Sequence, residues 1–123
     1  MTFQQMIYQH IGEIIKTVQY IEWNLLTKLK EDTLEDITLG QIIVEVEEAH
    51  ISQLAVRDDE LREILKKRND LVHKYFKRKD FETNHLNEQF LEGELEYLKN
   101  FLAQVTRFND WLCEFIKRSE QNG

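Results

Sequence analysis

Four side chains in the stretch RNDLVHKY could act together on a phosphate: Arg68, Asn69, His73 and Tyr75. A guanidinium carries a permanent charge and presents a fork of N–H donors to paired oxygens. An imidazole titrates near neutral pH, and an amide and a phenol can orient or donate. On a helix turning about 100° per residue, with Arg68 at zero, Asn69 points to about 100° and His73 to about 140°. Tyr75 falls at about −20°, on the face of Arg68.

That face is otherwise apolar. Leu61, Leu65 and Val72 lie at about 20°, 60° and 40° on the same wheel, so Arg68 sits inside the stripe that a helix turns toward its core. Its neighbours one turn away are Ile64, Leu65, Leu71 and Val72, and no carboxylate of its own helix can reach it. A guanidinium against a core is costly unless it meets an anion, so Arg68 must find one on another element or line a cleft. Taken singly, the other residues have plainer readings. His73 fits a helix C-terminus, aided by Asp70 three residues earlier, and Tyr75 fits the edge of a core.

The same region concentrates positive charge. Between positions 66 and 79, Lys66, Lys67, Arg68, Lys74, Lys77, Arg78 and Lys79 stand against Asp70 alone, in a chain whose formal charge is −7. An acidic protein does not coat nucleic acid with its whole surface, so contact with phosphate must be local. Lys66, Lys67, Lys74 and Lys77 are the cations placed to make it, although a solvated helix end explains lysines equally well.

The elements that must carry these residues are helical. Phe3, Ile7, Ile11, Ile14, Val18, Ile21, Leu25 and Leu29 alternate steps of three and four, which predicts one long amphipathic helix. Thr38 followed by Gln41 has the form of a capping box, and a helix bearing Leu39, Ile42, Ile43, Val46, Ala49 and Leu54 is predicted after it. Asp58 and Asp59 suit N-caps of the helix that holds the motif. KDFETN turns the chain. A last helix is predicted from about residue 84 or 86 to about residue 117, and its tail RSEQNG is predicted to fray. It bears two apolar stripes, Leu91, Leu95, Leu98, Leu102, Val105 and Leu112 beside Phe90, Tyr97, Phe101, Phe108, Trp111 and Phe115. Trp23 and Trp111 read as packing, and Cys113 as a small buried hydrophobe.

With no proline and four glycines in 123 residues, the fold class is all-α, an up-and-down bundle of four to five helices in a single domain spanning 1–123. One cysteine and four scattered histidines form no zinc ligand set and no disulfide, so neither a metal nor another cofactor is expected, and a reducing cytoplasm is. The N-terminus reads as neither signal peptide nor anchor, and no apolar run approaches a bilayer's thickness.

The arrangement of Arg68, Asn69, four further positions to His73, and Tyr75 resembles the signature of the HEPN superfamily (higher eukaryotes and prokaryotes nucleotide-binding), in the Arg-x4-His-x-Tyr form of toxins paired with a minimal nucleotidyltransferase antitoxin. A proline-free helical chain of this length, with the motif near the end of a long helix, is also similar to that family. The resemblance implies a HEPN-like bundle and a homodimer in which two motifs meet at a two-fold cleft. It implies an endoribonuclease that needs no metal: the ribose 2′-oxygen attacks the adjacent phosphate, leaving a 2′,3′-cyclic phosphate and a 5′-hydroxyl. His73 would serve as general base or acid, Arg68 would stabilise charge on the phosphate, and Asn69 would orient one of them. Tyr75 matches the position where the antitoxin attaches AMP. The superfamily also contains catalytically silent modules that bind a nucleotide or dock onto a nucleotidyltransferase. A plain dimerisation protein, with Arg68 paired to a carboxylate across the interface, is a further alternative.

Overall fold

A computed structural model describes residues 2–29, 57–77 and 87–122. These form three α-helices, α1 (Phe3–Leu29), α2 (Asp58–Val72) and α3 (Glu88–Asn122), with a π-helical turn, His73–Lys77, continuing α2. Among the described residues there is no strand, and the helices pack as a bundle. The helix predicted from Thr38 to Leu54 and the KDFETN turn lie outside the described residues. No described helix is long and apolar enough to cross a membrane.

A capping box opens α1. The backbone N–H of Thr2 donates to Gln5 Oε1 at 2.9 Å, and the N–H of Gln5 donates to Thr2 Oγ1 at 3.1 Å, so each side chain satisfies the other residue's otherwise orphaned N–H. At the start of α3 the Asn87 side chain accepts from the N–H of Phe90 at 3.1 Å, which sets the helix start just beyond the predicted 84 or 86. The far end of α3 runs past residue 117 to Asn122.

The motif helix begins differently from expectation. Arg57, not Asp58 or Asp59, occupies the N-cap position and makes no side-chain capping bond. Both aspartates lie inside the first turn with Glu60, where their charge favours the positive end of the helix dipole without capping it. Arg57 is held from the side: its guanidinium lies 4.5 Å from the centre of the Trp111 ring and 3.3 Å from Glu60.

The core is built chiefly by α1 and α3. Ile7, Ile11, Ile14, Val18, Ile21 and Leu25 of α1 are buried against Leu91, Leu95, Leu98, Phe101, Val105, Phe108, Leu112 and Phe115 of α3. The α3 set draws on both predicted stripes, because alternating steps of three and four follow a single line along the helix. Each such side chain contributes on the order of 1.5 to 3 kcal/mol. Trp111 packs between Phe108 and Phe115. Trp23, predicted to be a packing residue, is 69% exposed on α1. Cys113 is only partly buried and accepts a hydrogen bond from Asn24, which also donates to Asn109.

Fewer α2 residues reach this core: Leu61, Ile64 and Leu71 are buried, with Leu65 and Tyr75 packed beside them. The helix lies along both partners. Arg57 meets Trp111 near one end and Tyr75 meets Glu94 near the other, so α2 runs antiparallel to α3. One flank of α2 thereby faces α3 and the other faces α1.

Candidate functional site

The motif residues divide between those two flanks. On the α1 side, Arg68, Asn69, Val72 and His73 line a cleft of about 470 Å³ whose far wall includes Ile15 of α1. Arg68 is partly buried, as its place in the apolar stripe requires, while Asn69 and His73 are exposed at the rim. The three polar groups therefore converge on one opening, with Ile15 and Val72 as its apolar wall. That wall lowers the local dielectric, so a charge in the cleft feels the guanidinium more strongly than it would in water.

Arg68 meets both conditions set by the sequence, since it lines a cleft and also finds an anion. Its Nη1 donates to Glu22 Oε1 of α1 at 3.1 Å. Its Nη2 donates to Asn69 Oδ1 at 3.4 Å, a long bond that ties the amide loosely to the guanidinium. The carboxylate belongs to the same chain, so no partner subunit is needed to supply it. Burial pushes the Glu22 carboxyl above its ordinary pKa, while the charge and hydrogen bonds of Arg68 pull it down. Burial is the larger influence.

The α3 side is closed by side-chain contacts. Lys67 donates to Gln104 at 2.7 Å, pairs with Glu63 at 3.1 Å, and lies over the Phe101 ring. Lys74 pairs with Glu94 and lies near the rings of Phe90 and Tyr75. The Tyr75 hydroxyl also donates to Glu94. Burial, then the hydrogen bond and charge of Glu94, raise the Tyr75 pKa, so the phenol keeps its proton. Burial and the carboxylates of Asp70, Glu94 and Glu63 likewise raise Tyr97.

The single rim read from an ideal helical wheel is thus split. Tyr75 is not on the cleft with Arg68, but beside Glu94. The wheel assumes an unbroken α-helix, whereas the chain widens into a π turn at His73, where the backbone N–H is shared between the carbonyls of Asn69 and Asp70. Each residue in such a turn advances by a smaller angle, which shifts every later side chain around the axis. Of the four lysines, Lys66 is exposed, Lys67 and Lys74 are engaged by Gln104 and Glu94 of α3, and the side chain of Lys77 lies outside the described residues.

Sequence reasoning did not single out Glu22 or Glu94. Glu22 follows Ile21, on the border of the α1 stripe, and Glu94 precedes Leu95 on the border of the α3 stripe. A carboxylate at the margin of an apolar face was the available signal, yet its partner depends on which helix packs there. No family model, curated protein or solved structure matches the chain.

Proposed function

We propose that the cleft binds an RNA phosphodiester and that the protein is a metal-independent endoribonuclease, working as a homodimer with a HEPN-like fold. The supporting observation is the shared opening of Arg68, Asn69 and His73 between α1 and α2. A permanent cation, an amide and an exposed imidazole at one cleft are the groups that transesterification requires. The reaction is balanced without another reagent. An imidazole takes the proton of the 2′-hydroxyl, the 2′-oxygen bonds to phosphorus, and the bond to the 5′-oxygen breaks. That leaving oxygen takes up a proton, from the second imidazole if two subunits join their clefts. Arg68 carries the charge that grows on the phosphate. A toxin or defence role, restrained by a nucleotidyltransferase partner acting on Tyr75, is consistent with the Arg-x4-His-x-Tyr spacing.

Incubating the protein with RNA in EDTA tests this reading. Arg68→Ala and His73→Ala are expected to abolish cutting while retaining the helical fold, and equal cutting by the double variant rules the reading out. The ion pair to Glu22 favours a second reading, since Arg68 is already partly neutralised: a silent module that holds a nucleotide or RNA without cleaving it. Calorimetry separates the two, because binding of ATP or RNA without turnover selects the silent module.

A further inference from the structure

Glu22 is an unusual companion for a phosphate-binding arginine. It stands on a different helix, 46 residues away in sequence, and touches only one edge of the guanidinium, Nη1, at 3.1 Å. Both side chains are about three-quarters shielded from solvent, with relative exposures of 22% for Glu22 and 25% for Arg68. Bringing two ions to a half-buried position is a poor source of stability, because lost hydration offsets much of their attraction. The carboxyl itself reflects this: its burial outweighs the pull of Arg68 and raises its pKa. A neutral residue of the same shape could fill the site more cheaply. The acid is better explained by its action on the guanidinium.

Two consequences follow from one contact. Fixing Nη1, while Asn69 holds Nη2 more loosely, limits the rotation of a long side chain that lines the cleft. The N–H groups not engaged by those partners are then available in a narrow range of directions, which lowers the ordering cost when a phosphate arrives. The negative charge of Glu22 also offsets part of the cleft's positive charge, so ground-state affinity for phosphate is lower than Arg68 alone would give. Orientation and attraction are set against each other.

We infer that Glu22 is a positioning residue for Arg68, aligning its guanidinium for phosphoryl chemistry in the cleft at the expense of affinity for the resting substrate. This rests on the reading of the cleft as a phosphodiester site and assigns a role to a residue outside the Arg-x4-His-x-Tyr motif.

The test compares Glu22→Gln with the wild type in two assays at one salt concentration. The first measures binding of a 2′-deoxy oligonucleotide, which cannot be cut, by fluorescence anisotropy; the second measures cleavage of the matching RNA. Removing the charge is expected to tighten binding by about threefold to tenfold. It is also expected to lower kcat by about tenfold through loss of alignment. A merely structural ion pair predicts lower thermal stability and no such opposed change. Unchanged or weaker binding by a folded Glu22→Gln, or an undiminished kcat, overturns the inference. Glu22→Asp provides a second measure, because it keeps the charge and shortens the reach: binding within about twofold of wild type with reduced kcat supports the proposal. Full kcat in that variant overturns it. If the wild type binds without cutting, the nuclease reading is lost while the binding assay still judges Glu22. In that case tighter binding by Glu22→Gln supports its electrostatic part, and unchanged binding removes it.

Discussion

On the α3 flank of α2, Lys67 and Lys74 rest near the rings of Phe101 and Phe90 and share their charge with Glu63 and Glu94. On the α1 flank, Arg68 has one carboxylate partner, Glu22, and stands at an opening with Asn69 and His73. Cations only a few residues apart are thereby put to different uses. The lysine stems cover aromatic surface and help join two helices, whereas the guanidinium remains on a cleft. The local excess of positive charge in the sequence is consequently not a single basic patch. Part of it is neutralised where α2 meets α3, and proximity in sequence is a poor guide to proximity in electrostatic effect.

The two flanks separate most clearly under substitutions that leave one of them intact. Arg68→Ala and His73→Ala are expected to reduce RNA cleavage by about a hundredfold or more; His73→Ala leaves the thermal midpoint little changed because His73 is exposed, whereas Arg68→Ala lowers it modestly by leaving the shielded Glu22 without its guanidinium. Cleavage assays beside thermal melts check this, and a large fall in the midpoint would show that the α1 flank is structural.

Glu94→Ala should produce the converse result. It leaves the Tyr75 hydroxyl and Lys74 without a shared acceptor, and about 1 to 3 kcal/mol of stability is expected to be lost. Chemical denaturation measures that loss, while cleavage per folded molecule should stay within a few-fold of wild type. Strong loss of cleavage in a folded Glu94→Ala protein would join the two flanks into one functional unit.

A smaller effect sharpens the electrostatics of the α1 flank. The Glu22 pKa is raised in the folded chain, so its contribution to stability is fully present below the unfolded carboxylate value and is lost as pH rises through the folded value. Glu22→Gln lacks that loss. Its thermal midpoint relative to wild type is therefore expected to rise as pH goes from the acid range to neutrality, read by melts across that range. A variant that becomes relatively less stable toward neutral pH would show that attraction to Arg68 outweighs burial.

The smallest change belongs to Lys66, which is exposed at the edge of the motif. Lys66→Ala is expected to alter stability by less than about 0.5 kcal/mol. If it contacts RNA backbone, the salt dependence of binding should flatten by about one unit of slope. Anisotropy titrations at several salt concentrations check this.

Much of the fold is legible because it rests on local rules. The steps of three and four in α1 identify the buried Ile7, Ile11, Ile14, Val18, Ile21 and Leu25 without knowledge of their partner. The same holds for Leu61 and Ile64 of α2. Local rules also have limits: residue type alone assigns Trp23 to packing, but its position on the outer face of α1 leaves it exposed. Asp58 and Asp59 satisfied the preference for an N-cap, yet the helix starts one residue earlier in its geometry, with Arg57 set against Trp111.

Residue order alone shows that the described segments are helical, that Arg68 breaks an apolar stripe, and that Asn69 and His73 share its border. Periodicity contains all three facts, because side-chain direction in a regular helix follows from residue number. The packing of the helices makes Glu22 the anion for Arg68 and turns Tyr75 and Lys74 to Glu94. Those outcomes depend on which helix packs against each flank and on a π turn that resets the angular register, and neither is encoded in the spacing of the motif.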